Sequence, residues 1–250
     1  MLPTKVGGRA RVAASCGELP CGFGSGTLNS MIVTRTPLRI SFLGGGTDLP
    51  DFFREEEGAV LSSTIDKAVY VTVHDRFEPD YRLSYTQTEI CGSVDELEHG
   101  IFRSVLKRHA PDLKQGRGLD LFSVADVPHG TGLGGSSSFT VGLIHALRAH
   151  LEDGGKKRDF TPEELAAEAC RTELEDLREP IGKQDQYVAA FGGMQFIRFS
   201  PSGSVHVERL SLPGDMRARL EQSVMLFYTG VARSASGVLR EQRDRIKTIR

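Results

Sequence analysis

A glycine-rich segment at residues 128–138, PHGTGLGGSSS, limits the possible folds of this chain more than any other stretch. A strand-favouring run precedes it, and residues 139–151 after it place apolar side chains at helical spacing. Glycines let a backbone approach an anion closely, and a helix start adds N–H donors and partial positive charge. No Gly-Lys-Ser/Thr follows, so the segment is not a Walker A loop. The context predicts a phosphate-binding loop, with a flexible serine-capped connection as the alternative.

Composition and charge exclude several classes of protein. The chain has 250 residues, enough for one large domain or two small ones. Its 33 acidic and 31 basic residues give a net charge of -2, which offers no reason to expect nucleic acid or an anionic membrane as partner. No apolar run is long enough to span a bilayer. The cysteines, at positions 16, 21, 91 and 170, form no C-x-x-C pair, so we expect reduced thiols in a cytoplasmic protein.

The predicted elements alternate irregularly between strands and helices, which indicates an α+β fold. Strands are predicted at residues 31–43, 59–77 (with a break near Asp66), 81–86, 118–128, 194–200, 204–212 and 224–230. Helices are predicted at residues 51–58, 94–111, 139–151, 161–177 and 236–250, and a short helix or a turn is predicted at 183–193. Residues 1–30 are glycine-rich without apolar periodicity, so we expect a disordered extension, with Met31 as a candidate true start.

Two more polar segments carry candidate functional carboxylates. Residues 36–50, TPLRISFLGGGTDLP, contain Arg39 and Asp48, and residues 179–199, EPIGKQDQYVAAFGGMQFIRF, contain Asp185. A carboxylate can accept hydrogen bonds from sugar hydroxyls, and a guanidinium can offset phosphate charge. Taken alone, Asp48 fits better in a Gly-Thr-Asp turn and Asp185 at a helix cap.

Together the three segments resemble the GHMP kinases, the superfamily of galactokinase, homoserine kinase and mevalonate kinase. The glycine segment is similar to the family's second motif, P-x-x-x-G-L-G-S-S, which wraps the phosphates of ATP. Gly135 departs from it, since the family usually has a serine there. The resemblance implies that the nucleotide contacts are Pro128, Gly130, Gly132, Leu133, Gly134, Gly135, Ser136, Ser137 and Ser138.

The same resemblance implies the catalytic and metal-binding residues. Asp185 takes the position of the carboxylate that orients the sugar hydroxyl and accepts its proton, and Arg39 is expected beside it. The implied cofactors are ATP and Mg²⁺, with Ser136 and Glu173 as metal ligands. Glu175 is the alternative to Glu173, and on the residues alone either glutamate could be a solvated helix carboxylate.

The sugar side of the site is implied by resemblance to a subgroup, the bacterial D-glycero-D-manno-heptose 7-phosphate kinases. A sugar phosphate phosphorylated at its anomeric hydroxyl is then the expected substrate, and L-fucose or another sugar is the alternative. Gly45 and Gly46 replace a Glu-His pair of galactokinase, which suggests a substrate extended at its far end. The candidate substrate contacts are Asp48, Thr47, Gly46, Lys183 and Arg233, and the candidate cations for a second phosphate are Arg35, Lys67, Arg76 and Arg233.

The family's architecture implies a division of the chain. Residues 31–205 correspond to the GHMP kinase N-terminal α/β domain that binds ATP, and residues 206–250 to the start of a ferredoxin-like C-terminal domain. The sequence contains no counterpart of the family's third, glycine-rich motif. We therefore expect a C-terminally truncated kinase, with an inactive fragment or binding module of the same fold as the alternative.

Overall fold

The computed structural model describes residues 11–13, 31–110, 118–151 and 160–230. Within these ranges eight strands form one mixed sheet: β1 Arg11–Ala13, β2 Ile32–Leu43, β3 Gly58–Arg76, β4 Tyr81–Ser84, β5 Thr88–Cys91, β6 Gly118–Ala125, β7 Met194–Phe199 and β8 Val205–Leu210. The order along the sheet is β1-β2-β3-β6-β4-β5, and β7 joins β3 and carries β8. All pairs are antiparallel except β4 with β6.

Strand β3 connects the two parts of the sheet, because each half of it pairs with a different neighbouring strand. Gly58–Ser63 pair with β7, and Val69–Arg76 pair with β6. The ladder with β2 passes from Pro37↔Ala68 to Arg39↔Thr64, so three residues of β3 stand opposite one residue of β2. This bulge is the break that the sequence predicts near Asp66, although the strand itself continues through it.

The helices of the described ranges are α1 Pro50–Phe53, α2 Gly100–His109, α3 Gly135–Leu151, α4 Pro162–Cys170, α5 Gln184–Phe191 and α6 Gly214–Ser223. Helix α3 packs directly against β2 and β3, and α2, α4 and α5 pack against α3. Its Leu143, Ile144 and Leu147 are fully buried, and each contributes about 1.5–3 kcal/mol of burial free energy. The buried position of α3 places the glycine segment at its N-terminus beside β2, where Arg39 N donates to Leu133 O.

The helix predicted at residues 161–177 is confirmed at its start and differs at its end. Thr161 and Glu164 form the expected capping box. After Cys170 the α-helix changes into a π-helical turn, Arg171–Asp176, in which Leu177 N donates to Thr172 O. The extra residue of this turn shifts every following side chain around the helix, which apolar periodicity alone does not predict.

Other boundaries differ from the sequence expectation. The helix predicted at 94–111 splits into a 3₁₀ turn, Val94–Glu96, and α2, while β5 and α6 were not predicted. The strand predicted at 224–230 is wrong: Val224–Tyr228 are exposed, and no strand of the described ranges pairs with them. A strand needs a neighbouring ladder for its backbone groups, so apolar composition alone was insufficient.

The two ends of the chain are described in part. In the segment predicted to be a disordered extension, Arg11–Ala13 form β1 and pair with residues 33–35 of β2, and the rest of 1–30 lies outside the described residues. The helix predicted at 236–250 also lies outside them. No helix in the described part of the chain is long and apolar enough to cross a membrane. Cys91 and Cys170, the two described cysteines, are free thiols.

Candidate active site

The glycine segment leaves β6 and turns sharply before α3 begins at Gly135. Gly130, Gly132 and Gly134 all have positive φ angles, between 74° and 76°. A Cβ built at Gly132 or Gly135 would have no neighbour within 4 Å, so the outer side of the loop faces open space. The loop therefore leaves room for a ligand at the N-terminus of a 17-residue helix, where N–H groups and the helix dipole favour anions.

Gly134 is the residue that brings this loop against two other predicted site residues. With its φ of 76°, a side chain would be strained, and a Cβ would lie 3.2 Å from Cγ of Arg39 and 3.4 Å from Oδ2 of Asp185. Leu133 O also accepts a hydrogen bond from Arg39 N at 3.0 Å. Close contact between the loop and the carboxylate thus depends on glycine at this position.

Arg39 and Asp185, which are 146 residues apart in sequence, form a bidentate ion pair. Arg39 Nε and Nη2 donate to Asp185 Oδ1 and Oδ2, each at 2.6 Å, and Arg39 Nη1 donates to Gly132 O at 2.6 Å. The side chains are 13% and 22% exposed. The forked guanidinium fixes the plane of the carboxylate and links it to the glycine loop. Asp185 is therefore held in one orientation beside the space that the loop leaves open.

Glu173 lies on the π-helical turn and points at the first turn of α3. Its Oε1 accepts from Ser136 Oγ at 3.1 Å, and its Oε2 accepts from Ser137 Oγ at 2.8 Å and from Gln186 Nε2 at 2.6 Å. Glu173 is 1% exposed, whereas Ser136 lies at the surface of the loop. Burial raises the pKa of the Glu173 carboxyl above its usual range, although the hydrogen bonds from Gln186, Ser137 and Ser136 oppose this.

The donor set at this point fits a hard divalent cation. Ser136 Oγ and the Glu173 carboxylate are adjacent oxygen donors, the ligand type that Mg²⁺ prefers. No cluster of three or more His, Cys, Asp or Glu side chains suited to a metal occurs in the described ranges, so phosphate oxygens and water would complete the shell. Glu175, the alternative ligand, is exposed and lines a different cavity. Of the two glutamates, the structure brings only Glu173 to Ser136.

The segment that contains the glycine loop, Glu173 and Asp185 matches a known protein family. Residues 99–193 match the family described as the GHMP kinases N terminal domain. Residues 99–193 of the chain belong to a GHMP kinase N-terminal domain. The family predicted from the three motifs is therefore confirmed.

Two relatives of this GHMP kinase domain are named as heptose phosphate kinases. The D-glycero-alpha-D-manno-heptose 7-phosphate kinase of Campylobacter jejuni is 32% identical over 225 residues, which are 86% of this chain and 64% of that protein. The crystal structure of a D-glycero-D-manno-heptose 1-phosphate kinase from Bacteroides thetaiotaomicron matches with a TM-score of 0.71 and 25% identity, covering 86% of this chain and 71% of that one.

A third match is a crystal structure described as a sugar kinase from Campylobacter jejuni. Its TM-score is 0.67 and its identity 29%, covering 90% of this chain and 70% of that one. The chain thus spans a little under two thirds of the length of the curated heptose kinase that it matches.

Asp48, one of the residues predicted to contact the sugar, is buried under the start of α5. Its Oδ1 accepts from Gly46 N at 3.0 Å and its Oδ2 from Gln184 N at 3.1 Å. A Cβ at Gly182 would lie 1.8 Å from Oδ2, so the chain passes directly over the carboxylate. Burial raises the pKa of Asp48; the bond from Gln184 opposes this and the charge of Asp185 adds to it. Asp48 thereby holds the turn that presents Asp185.

Thr47 has a similar supporting position in the domain. Its Oγ1 accepts from Ala59 N at 3.0 Å and lies 2.8 Å from Gly44 O. The hydroxyl therefore ties the 44–48 loop to the start of β3. Asp48 and Thr47, two of the residues predicted to contact substrate, thus have their polar side-chain atoms bonded to backbone in this structure.

Two of the candidate cations for the sugar phosphate, Lys183 and Arg35, donate to backbone carbonyls in this structure. Lys183 Nζ donates to Gly203 O at 3.0 Å and lies 4.9 Å from the ring centre of Phe53, beside a cavity of about 320 Å³. Arg35 Nη2 donates to Asp66 O at 2.7 Å, and Lys67 is half-buried next to it.

Arg76 is at the opposite end of β3 from the glycine loop. Arg76 forms ion pairs with Glu78, Asp80 and Asp120, so three carboxylates compensate its positive charge. Arg233 lies outside the described residues. The described candidates therefore do not gather into a second phosphate site near Asp185.

Two residues of the site were missed by the sequence reasoning. Gln186 is fully buried and donates to Glu173, and Thr140 Oγ1 lies 3.2 Å from Glu173 Oε1. A signal was available, because Gln186 is a polar residue on the buried side of the short apolar helix α5, where an amide requires a partner.

Proposed function

We propose that the protein transfers the γ-phosphate of ATP to the anomeric hydroxyl of a sugar phosphate, with D-glycero-D-manno-heptose 7-phosphate as the first candidate. The observation that carries the proposal is the contact of the Arg39–Asp185 pair with Gly134, which puts a fixed carboxylate at the mouth of the glycine loop. The names of the relatives from Campylobacter jejuni and Bacteroides thetaiotaomicron support a heptose phosphate as substrate.

The loop and the first turn of α3 would hold the triphosphate. Backbone N–H groups at the helix start are the donors, and the open side at Gly132 and Gly135 admits the phosphates. Ser136 and Glu173 would hold Mg²⁺, which supplies charge neutralisation to the phosphate oxygens when it is bound. Ser137, Thr140 and Gln186 would keep the Glu173 carboxylate directed at the loop when Ser136 turns to the metal.

Asp185 would align the sugar hydroxyl and accept its proton. The new bond forms between the sugar oxygen and the γ-phosphorus, the bond from that phosphorus to the bridging oxygen breaks, and ADP leaves. Arg39 holds the carboxylate through two hydrogen bonds, so the proton acceptor needs no reorientation during transfer. Asp48 contributes indirectly, because it fixes the backbone of Gln184 next to Asp185.

Room at Gly45 supports a substrate larger than galactose. A Cβ built there would meet one neighbouring atom within 4 Å, Ser41 Oγ at 3.9 Å, so the loop leaves space at this point. Compared with galactose, heptose 7-phosphate has an additional carbon and a phosphate at the end remote from the anomeric hydroxyl. We propose that this end occupies the space beside Gly45.

Release of ADP with Mg·ATP and a panel of sugars tests the proposal. The panel contains D-glycero-D-manno-heptose 7-phosphate, the corresponding 1-phosphate, L-fucose, galactose, mannose and a blank without sugar, with Asp185→Asn as the matched variant. We expect release that depends on the heptose 7-phosphate and is lost in the variant. Preference for L-fucose would reassign the sugar. Binding of Mg·ATP without turnover on every sugar would favour the alternative, a binding module of the same fold.

A further inference from the structure

The π-helical turn that carries Glu173 is a strained and unusual piece of backbone. Glu173 O accepts from Glu179 N at 2.9 Å, and between them Arg178 adopts a φ of 55°. A non-glycine residue in the left-handed region has a conformational cost and persists where its surroundings hold it. A π-helical turn also contains one residue more than the α-helical register allows. The position of the Glu173 carboxylate therefore depends on contacts that hold this turn.

One side chain from another helix contacts the turn on both sides of Glu173. Arg108, on α2, donates through Nη1 to Thr172 Oγ1 at 3.1 Å and through Nη2 to Asp176 Oδ2. Thr172 is fully buried, and Ser104 Oγ, one turn earlier on α2, also donates to Asp176. The two atoms that Arg108 contacts thus lie one residue before and three residues after Glu173.

A second carboxylate, on α4, also contacts the guanidinium of Arg108. Arg108 Nη1 lies 4.0 Å from Oε1 of Glu168, a buried carboxylate on α4 that also pairs with His109 and Arg148. Glu168 is 7% exposed and Arg108 26% exposed, so the group is largely withdrawn from solvent. An arginine between two carboxylates in a partly buried setting has little freedom to leave the turn.

We propose that Arg108 is a positioning residue for Glu173: its fork holds the π-helical turn in the register that presents this carboxylate to Ser136. The inference rests on the metal-binding role of Glu173 in the proposed function. Without the fork, the turn can relax into ordinary α-helix by one residue. A shift of one residue rotates a side chain by about 100° around the helix axis, which takes the carboxylate away from Ser136.

The test compares Arg108→Met and Arg108→Lys with Lys107→Met in the full chain. Lys107 is the neighbouring residue on α2, and its Nζ pairs with Asp95 of the 3₁₀ turn. Binding of Mn²⁺ is measured by electron paramagnetic resonance in the presence of a non-hydrolysable ATP analogue, so no turnover is needed. We expect about tenfold weaker Mn²⁺ binding in both Arg108 variants and no change in Lys107→Met. Lysine fails to rescue because one ammonium cannot reproduce the fork.

Hydrogen exchange of residues 171–179 without metal is the second readout. It should be faster in Arg108→Met than in the wild type, and unchanged in Lys107→Met. Unchanged exchange together with wild-type Mn²⁺ affinity would overturn the inference. If Arg108→Met does not fold, Thr172→Val removes one of the two contacts with little change of shape, and we expect about threefold weaker Mn²⁺ binding. Unaltered Mn²⁺ binding and exchange in that variant would equally overturn it.

The variant Glu173→Gln separates this inference from the proposed function. Wild-type Mn²⁺ affinity in Glu173→Gln would contradict the metal role of Glu173, whatever Arg108 does to the turn. If Glu173→Gln weakens binding, Arg108→Met added to it should cause no further loss, because both changes remove the same ligand. An equal loss in both backgrounds would show that Arg108 acts through general stability and would overturn the positioning role.

Discussion

The nucleotide side and the sugar side of the candidate site hold their carboxylates in different ways. On the nucleotide side, Glu173 is bonded by side-chain hydroxyls and an amide, and one of these partners, Ser136, is exposed and can rotate towards an incoming cation. On the sugar side, both oxygens of Asp48 are bonded by backbone N–H groups, which cannot leave unless the 44–48 loop or the start of α5 changes its backbone conformation. One side can exchange partners when ligand binds, while the other is a fixed support for Asp185.

The difference suggests that this fold binds the triphosphate and its metal on one side and selects the sugar hydroxyl on the other. Polar side chains that exchange partners suit the triphosphate and its metal, whose binding needs donors and oxygen ligands in a defined place. A rigid backbone frame suits the sugar side, where the shape left at Gly45 and the orientation of Asp185 decide which hydroxyl reacts. Substitutions on each side therefore test the two sides separately.

Replacing Asp185 should have the largest effect on activity and a small effect on nucleotide binding. Asp185→Asn removes the proton acceptor while keeping shape, and we expect kcat for the heptose phosphate to fall by about 10³-fold. Affinity for the ATP analogue should stay within about twofold of the wild type, since the phosphates contact the loop and α3. Steady-state kinetics and calorimetric titration measure the two quantities. An equal loss of both would show that the sides are not separable.

Replacing Glu173 should have its main effect on the nucleotide side. Glu173→Gln keeps a partner for Gln186 and for the serines but removes the anionic metal ligand. We expect the apparent affinity for Mg²⁺ to fall by about 10–100-fold, with the KM of the sugar unchanged. The matched variant is Glu175→Gln, an exposed carboxylate, which should leave both values unchanged. A stronger effect from Glu175 than from Glu173 would reverse the metal assignment.

Asp48→Asn tests whether the sugar side is a support held by backbone bonds. An amide can accept one of the two N–H bonds and presents a donor to the other, so we expect a loss of about 2 kcal/mol in the free energy of unfolding. Because burial raises the pKa of Asp48, the folded wild type loses stability as pH rises from the ordinary aspartate pKa through the folded one. Asp48→Asn does not show this pH-dependent loss. Its free energy of unfolding should therefore lie further below that of the wild type at pH 4 than at pH 8.

Urea denaturation of both proteins at the two pH values measures that difference. Glu55→Gln, on the exposed segment after α1, is the control for a charge removed from the same region. A deficit that grows towards pH 8 would contradict the assigned direction of the Asp48 pKa.

Gly45 should have the smallest effect, on sugar preference alone. Gly45→Glu fills the open space of the loop, and we expect the preference for heptose 7-phosphate over galactose to fall about tenfold, since the added side chain takes up the proposed position of the distal end. The competing turnover of the two sugars in one mixture measures this preference. An unaltered ratio would contradict the proposal that the distal end of the substrate lies beside Gly45.

Local patterns and motif register predicted the parts of this site that depend on short segments. The strand–loop–helix context of residues 128–138, the cap at Thr161 and the proximity of Arg39 to Asp185 all follow from such information. The choice between Glu173 and Glu175 did not, because the π-helical turn changes the register by a residue that a 3.6-residue period does not include. The direction of Lys183 depends on Gly203 and Phe53, which are distant in sequence.

Asp48 is a further residue whose surroundings could not be predicted from its local motif. The family motif suggested a side chain open to sugar hydroxyls, whereas the residues alone favoured a Gly-Thr-Asp turn. The passage of Gly182 over the carboxylate became visible only in the folded chain. Burial by a segment 134 residues further on cannot be read from the 36–50 motif itself. Pair contacts of this kind decide whether a polar motif residue faces a ligand or supports one that does.

The most direct test of the account is ³¹P nuclear magnetic resonance of the reaction with Mg·ATP and D-glycero-D-manno-heptose 7-phosphate. We predict a new phosphate resonance coupled to the anomeric proton, appearing together with ADP and absent in Asp185→Asn. Inorganic phosphate as the sole new product, or a sugar phosphate formed equally by Asp185→Asn, would contradict the claim that the Arg39–Asp185 pair and the glycine loop form a sugar kinase site.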